Sequence, residues 1–404
     1  MSHPVHRLAV QPARRPAADT PTPAAPPPLS LYVHYPWCVK KCPYCDFNSH
    51  AVRDGQDAAE LERRYIDALI TDLAAAAPGV AGRSVGTVFF GGGTPSLMAP
   101  HSLARVIDAI ARHLALAADA EITLEANPGT FEIERFRGFR AAGANRLSIG
   151  IQSFDDAQLR ALGRIHDSSE ARRAIAIALQ HFERVNLDLM YALPGQALAG
   201  ALADLETALS FGTEHLSCYH LTLEPNTPFF QHPPALPDDD SAADMQEAIE
   251  ARLAVAGFEH YETSAFARPD ARSRHNLAYW TFADYLGIGA GAHGKLSTPA
   301  GIVREMRHKH PQRYLEAAAN GAFVQESRSV ARAELPFEFM MNALRLTEGV
   351  PSASFEQRTS LPLSAIAPQL AQARAAGLLD ADEAVLRPTL RGQRFLNELL
   401  ELFL

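Results

Sequence analysis

The chain is short of cysteine, short of positive charge and without any long apolar run. Four cysteines in 404 residues are not a secreted disulfide framework, and a reducing compartment suits them better. No apolar stretch approaches the length of a membrane span, so no integral segment is expected. Lys and Arg number 37 against 46 Asp and Glu, a formal net charge of −9. That balance argues against a protein that neutralises a phosphate backbone. No Gly-Lys-Ser/Thr phosphate loop is present, and the one glycine run lacks the spacing of a dinucleotide fingerprint. The first 28 residues lack the apolar core of a signal peptide. They hold eight prolines and three arginines, which spoil an amphipathic transit helix and predict a disordered tail.

What is there is organised around Tyr32-Val-His-Tyr-Pro-Trp-Cys38-Val-Lys-Lys-Cys42-Pro-Tyr-Cys45. Three cysteines fall inside eight residues, and three thiolates on one short loop can converge on a metal centre. A 4Fe-4S cube takes four ligands, so three cysteines leave one iron open to a substrate or cofactor. The competing reading is three cysteines packed as small hydrophobes, and their density counts against it. Cys218 stands alone in an apolar run and reads as a core residue.

From residue 29 short apolar runs alternate with helical patterns. Strands are expected at 31–35, 84–90, 121–125, 146–151, 185–190 and 216–223, rich in β-branched and aromatic residues. Helices are expected at 61–77, 103–116, 133–142, 169–181 and 202–211. Repeats of this size predict parallel strands with right-handed crossovers. Gly91, Gly92, Gly93 and Thr94 follow the second strand, Glu125 closes the third, Gln152 follows the fourth, and Asp188 lies in the fifth. Sites in parallel α/β folds form at the carboxyl ends of strands. A ring of such residues favours a barrel over a flat sheet. The glycines serve either a tight turn or the close approach of backbone to a ligand.

Beyond residue 225 the pattern loosens. A Pro-Asp linker (233–240) leads to a helix at 242–256 and a strand at 260–265. Then comes Arg274-His275-Asn276-Leu277-Ala278-Tyr279-Trp280, followed by the glycine-rich stretch 286–294, which reads as a flexible loop. An imidazole beside flat aromatics would suit a planar macrocycle with an axial ligand. Helices at 335–346, 366–376 and 391–403, with a hairpin at 378–386, suggest a winged helix. From residue 331 on, seven Lys or Arg face nine Asp or Glu, so a packing lid or partner surface is expected there rather than a nucleic-acid reader.

Cys38-x3-Cys42-x2-Cys45 resembles the signature of the radical S-adenosylmethionine (SAM) family. The longer Tyr32–Cys38 stretch resembles its oxygen-independent coproporphyrinogen dehydrogenase (HemN-like) branch, and the likeness runs from residue 29 to the end. The resemblance implies a 4Fe-4S cluster on Cys38, Cys42 and Cys45. Its open iron would be chelated by SAM, which an electron can cleave to methionine and a deoxyadenosyl radical. It places SAM contacts at Tyr32, Gly92, Gly93, Thr94, Glu125, Gln152, Arg164 and Asp188.

Two features depart from the oxidase pattern. Phe47 stands where the oxidase has a further cysteine, and His275-Asn-Leu-Ala-Tyr-Trp280 resembles the motif of the HemW-type haem chaperones of this family. The likeness implies a carrier that binds haem through His275, Asn276, Tyr279 and Trp280 and delivers it to haem-requiring respiratory proteins. Oxidative decarboxylation of coproporphyrinogen, or another radical SAM reaction such as methylation, is the alternative, so enzymatic activity is left open. The expected architecture is α/β: a tail (1–28), a partial (βα)6 TIM-like radical SAM barrel with the motif-bearing extension (29–300), and a C-terminal winged-helix-like, mainly helical domain (301–404). A cytoplasmic protein is expected, with no nucleic-acid partner. Homodimerisation and peripheral membrane contact are left open.

Overall fold

The computed structural model describes residues 26–51, 57–130 and 133–404. The expected tail lies, but for residues 26–28, outside the described residues. Six strands pair in parallel in chain order: β1 (Leu29–Tyr35), β2 (Ser84–Gly92), β3 (Ala115–Ala126), β4 (Arg146–Gln152), β5 (Arg184–Tyr191) and β6 (His215–His220). Each is followed by a helix: α1 (Ala58–Ala76), α2 (Pro100–His113), α3 (Ile133–Ala141), α4 (Ser168–His181), α5 (Leu198–Ser210) and α6 (Asp239–Val255). An order that never reverses is that of a barrel, whereas a doubly wound sheet switches direction at its centre. Parallel strands covered on both faces read as continuous apolar runs, and in β1 every residue but Tyr32 is buried.

Helices begin where the sequence caps them. Asp57 accepts from the Ala59 and Glu60 N–H groups at the start of α1, and Asp167 and Glu170 form a reciprocal capping box on α4. In α2, Leu103, Val106, Ile107 and Ile110 are buried at helical spacing.

The sheet grows beyond the six strands. Strands β7 (Glu259–Glu262) and β8 (Ala265–Ala267) form a hairpin added antiparallel to β6. On the other side β9 (Asp284–Ile288) lies parallel to β1, and β10 (His293–Thr298), β11 (Gly301–Arg307) and β12 (Val324–Ser329) continue antiparallel. No pairing among the described residues joins the edges β12 and β7, so the barrel is partial.

Several expectations need correction. The helix expected at 103–116 stops at His113, and β3 starts at Ala115 rather than residue 121. Ala115 and Leu116 pair with Ser84 and Val85, so ladder formation overrides the helical preference of an alanine-rich stretch. The glycine-rich stretch 286–294 is no flexible loop but a buried strand and turn, with Leu286, Ile288, Ala290 and Ala292 inside. A Cβ on Gly287 would stand 2.0 Å from the His293 carbonyl oxygen, so glycine there lets β9 and β10 approach. The strand expected at 260–265 is the β7–β8 hairpin. The hairpin expected at 378–386 reduces to Val385–Leu386 paired with Val350–Pro351, plus a Leu379–Pro388 bridge. The last helix breaks at Phe395 into Leu390–Arg394 and Leu396–Glu401, and past the break Leu399 and Phe403 enter a core.

That second core joins Leu335, Phe339, Phe355, Ile366 and Leu370 to Phe282 and Ile302 of the barrel side, within a mainly helical C-terminal part. The division expected at residue 300 falls in the turn between β10 and β11. Among the described residues no helix is long and apolar enough to cross a membrane.

Candidate functional site

The cysteine loop leaves the carboxyl end of β1. It is closed by parallel pairing of Trp37–Cys38 with His50–Ala51. Inside it, Cys45 N–H donates to Cys42 O (3.2 Å), Ser49 N–H to Phe47 O (2.7 Å), and Lys41 Nζ to Phe47 O (2.8 Å). The Asn48 amide donates to Ala290 O (2.9 Å) and Lys309 O (2.8 Å), pinning the loop to the far end of the sheet. The Asn48 carbonyl accepts from His34 Nε2 at 2.9 Å. That nitrogen must therefore carry the proton, and Nδ1 accepts the Tyr32 hydroxyl at 3.0 Å.

Cys38, Cys42 and Cys45 are free, half-buried and line one cleft, while free Cys218 is buried in β6. Burial pushes the Cys38 and Cys45 thiols up from their ordinary value. Among the described residues no three His, Cys, Asp or Glu side chains gather as a single metal ion needs. The three thiols share the wall of one cleft, where a cube would take one thiolate on each of three irons.

The cleft holds about 760 Å³ of empty space, part of it open to solvent. Gly92, Gly93, Thr94, Glu125, Gln152, Arg164 and Asp188 line it together with the three cysteines. Tyr32, expected in the same set, is not on its wall: its ring stacks on Phe89 and its hydroxyl holds His34. The structure also gives the glycines a reason. Gly92 has φ +116°, and a Cβ there would stand 2.4 Å from the His34 ring. A Cβ on Gly93 would stand 2.6 Å from the Trp37 carbonyl oxygen. The size limit comes from the protein's own packing, which leaves these backbones exposed to the cleft.

The electrostatics suit a ligand that carries both charges. Glu125 is half-buried, accepts the Gly92 N–H at 3.0 Å, and is pushed up to about 8, first by the loss of solvent around its carboxyl and then by the neighbouring Asp188. Asp188 is raised by burial, although it accepts from Ser148 Oγ (3.2 Å) and Asn186 Nδ2 (2.8 Å). Neither carboxyl has an ion-pair partner among the described residues. Arg164 donates to Cys42 Sγ (3.7 Å), Tyr44 OH (3.4 Å) and Gly150 O (2.7 Å), and its Nε is buried without a partner. Three thiols, two carboxyls lacking a cation and a guanidinium with a spare donor fit a cluster and the amino, sulfonium and carboxylate groups of SAM.

A second cavity, with about 920 Å³ of empty space, continues into the barrel past Phe89, Asn186, Asp188 and Ser217. Sequence reasoning missed Arg146 on its wall. Its side chain is 3% exposed and makes no hydrogen bond or ion pair among the described residues. An arginine opening a strand gives no signal of this kind.

The His275 motif lies near the amino ends of the strands, opposite the cysteine loop. Helix α7 (Arg274–Trp280) is capped by Ser273, and Glu121 of β3 accepts from the Arg274 N–H (3.3 Å) and the His275 N–H (3.1 Å). His275 is 1% exposed, and burial holds its imidazole down at about 3. Thr87 Oγ1 spends its proton on Ser30 Oγ (2.9 Å), so His275 Nδ1 donates to Thr87 Oγ1 (2.7 Å). The lone pair is then on Nε2, which is buried without a partner. Asn276 faces the barrel cavity, Tyr279 sits edge-on to His275 (5.0 Å) and Tyr285 (4.5 Å), and Trp280 packs on the second core beneath Arg345. The four residues share a helix but not an open face.

Residues 32–207 match the radical SAM superfamily, and residues 330–395 match the HemN C-terminal domain. The structure resembles that of coproporphyrinogen III oxidase (HemN) from Escherichia coli, with a TM-score of 0.79 and 25% identity, covering 94% of this chain and 90% of that one. Fold and cleft thus define a radical SAM protein with a HemN-type C-terminal domain, a class that uses a 4Fe-4S cluster and SAM. Over 94% of its length the chain is 47% identical to the haem chaperone HemW of Escherichia coli, covering 98% of that protein. It is 46% identical to HemW of Haemophilus influenzae over the same shares. It is 40% identical to the bovine mitochondrial radical S-adenosyl methionine domain-containing protein 1, over 96% of this chain and 90% of that one. The chain belongs to the HemW haem-chaperone family.

Proposed function

We propose that this protein binds haem and transfers it to haem-requiring respiratory proteins in the cytoplasm. The observation that carries this reading is full-length likeness, at 46–47% identity, to proteins named haem chaperones. Cys38, Cys42 and Cys45 would hold the 4Fe-4S cluster. Gly92, Gly93, Thr94, Glu125, Gln152, Arg164 and Asp188 would hold SAM, with Tyr32 behind them fixing His34. When bound, the cluster supplies a one-electron donor with one iron open to SAM. Glu125 and Asp188 meet positive charge, Arg164 meets a carboxylate, and the glycine backbones let the ligand lie close. His275, Asn276, Tyr279 and Trp280 are the haem motif in this reading. The buried lone pair on His275 Nε2 is ready for iron, and contact with it requires α7 to move.

The test is a spectroscopic haem titration of the cluster-reconstituted protein beside His275→Ala. The wild type is expected to give a saturable Soret band, with weaker binding in the variant. Identical spectra and affinities would remove the motif from the haem site, and no binding by the wild type would overturn the chaperone reading. Likeness to HemN motivates a second reading, coproporphyrinogen oxidation. With Phe47 in place of the further cysteine, no porphyrinogen product is expected from anaerobic protein supplied with SAM and a reductant.

A further inference from the structure

We propose that the outer face of the cysteine loop is the docking surface for an acidic one-electron carrier protein, which meets Lys40, Lys41 and Lys309 around Phe47. The inference goes beyond haem carriage and rests on the three cysteines holding the cluster. Of the chain's 37 Lys and Arg side chains only four are lysines: Lys40, Lys41, Lys295 and Lys309. Lys295 is buried against Asp284. The other three are exposed, and all of them stand at this loop. Lys40 lies on the rim of the cluster cleft. Lys41 and Lys309 line a polar hollow on the other side of the loop, where Asp46 is the single acid.

A cluster that passes one electron to SAM must first receive one. In that step the carrier is oxidised by one electron and the cluster reduced by one, with no bond or proton changing hands. Cys45, Phe47 and Ser49 line both the hollow and the cluster cleft. The loop alone therefore lies between a carrier on this face and the cluster. Gly92, Gly93, Thr94 and Arg164 line the cleft and not the hollow, so the carrier and SAM approach from different sides.

The surface has the anatomy of a protein interface, an apolar centre inside a charged rim. Phe47 is 59% exposed and Val39 52%, and the three lysines flank them. With a net charge of −9, the chain as a whole repels an acidic protein, so a local basic patch both selects the partner and orients it. Lysine suits such an encounter better than arginine does. Its ammonium is compact, mobile and strongly hydrated, whereas a guanidinium grips carboxylates with two parallel bonds. Electron-transfer complexes are small and short-lived, which matches three lysines and one aromatic ring. The Asn48 amide, bonded to Ala290 O and Lys309 O, holds Lys309 beside the loop.

The experiment uses cluster-reconstituted full-length protein, with flavodoxin, an acidic flavin protein, as the probe. Calorimetry at several salt concentrations reads binding, and stopped-flow loss of the cluster's visible absorbance reads its reduction. Lys40→Glu/Lys309→Glu spares the Lys41 Nζ bond to Phe47 O inside the loop. It is expected to weaken binding by about tenfold or more and to flatten its salt dependence. Phe47→Ala should weaken binding and leave the salt dependence as it was. Arg112→Glu/Arg140→Glu makes the same change of charge in the last turns of α2 and α3, at the opposite end of the barrel, and should bind as the wild type does. Photoreduced deazariboflavin, a small reductant, should reduce the cluster in every variant at the wild-type rate, which separates lost docking from a damaged cluster. If the lysine variant binds and is reduced as the wild type is, or if the arginine variant loses as much, the loop face is not the docking surface. If the lysine variant changes only the protein's own sedimentation, the face belongs to a second copy of the chain. If the wild type takes up no cluster, the cysteine assignment falls and this surface with it.

Discussion

Glu125 stands one residue before the end of β3, its half-buried carboxyl 3.0 Å from the Gly92 N–H and pushed up to about 8 by desolvation and by Asp188. Its folded value lies above the ordinary carboxylate value, so between the two the folded chain binds the extra proton. By linkage, this group makes the ligand-free fold less stable as pH rises through that window. A cationic ligand reverses the preference, since the carboxylate is the better partner. SAM binding should therefore release a proton and tighten as pH rises from 6 towards 8, by at most about tenfold per pH unit. Calorimetry in buffers of different ionisation enthalpy measures that release, and Glu125→Gln should flatten it. The residue's place at a strand end was legible from chain order alone. Its raised proton affinity was not, because that depends on Asp188, 63 positions on, facing the same cleft.

The cysteine loop holds its shape through partners that no local pattern announces. Asn48 reaches Ala290 and Lys309, 242 and 261 positions away. Asn48→Ala removes two hydrogen bonds, each worth about 0.5–1.5 kcal/mol. The expected outcome is faster bleaching of the cluster's visible absorbance in air, with secondary structure by circular dichroism unchanged. An unaltered bleaching rate would show that the loop needs no such anchor. Helix α7 teaches the same lesson. His275-Asn-Leu-Ala-Tyr-Trp280 was legible as a motif, but its burial follows from Thr87, Glu121 and the second core closing around it. The alanine-rich start of β3 misled in the opposite direction, because its pairing with β2 outweighs local preference.

Across the whole molecule, one buried acid joins the barrel to its antiparallel extension. Asp72 of α1 accepts from Arg307 Nε (3.0 Å), Tyr314 OH (2.9 Å) and the Gly289 N–H (3.2 Å). Arg307 is itself 3% exposed. Asp72→Ala would leave that guanidinium with Glu305 alone, a partly exposed carboxylate 2.9 Å from its Nη1, and weakening a buried pair in this way costs up to about 3–5 kcal/mol. A clear drop in the urea midpoint is expected, and an unchanged midpoint would mean that water reaches Arg307. The sequence by itself determined the cysteine spacing, the succession of βα units and the residues at strand ends, because each is written in neighbouring positions and in short periodicities. Only the tertiary structure decided that Tyr32 stands behind the cleft, that Gly92 and Gly93 are small because His34 and Trp37 crowd them, and that His275 is enclosed. Those outcomes depend on which distant surfaces meet, and burial, proton affinity and steric room exist only once they have met.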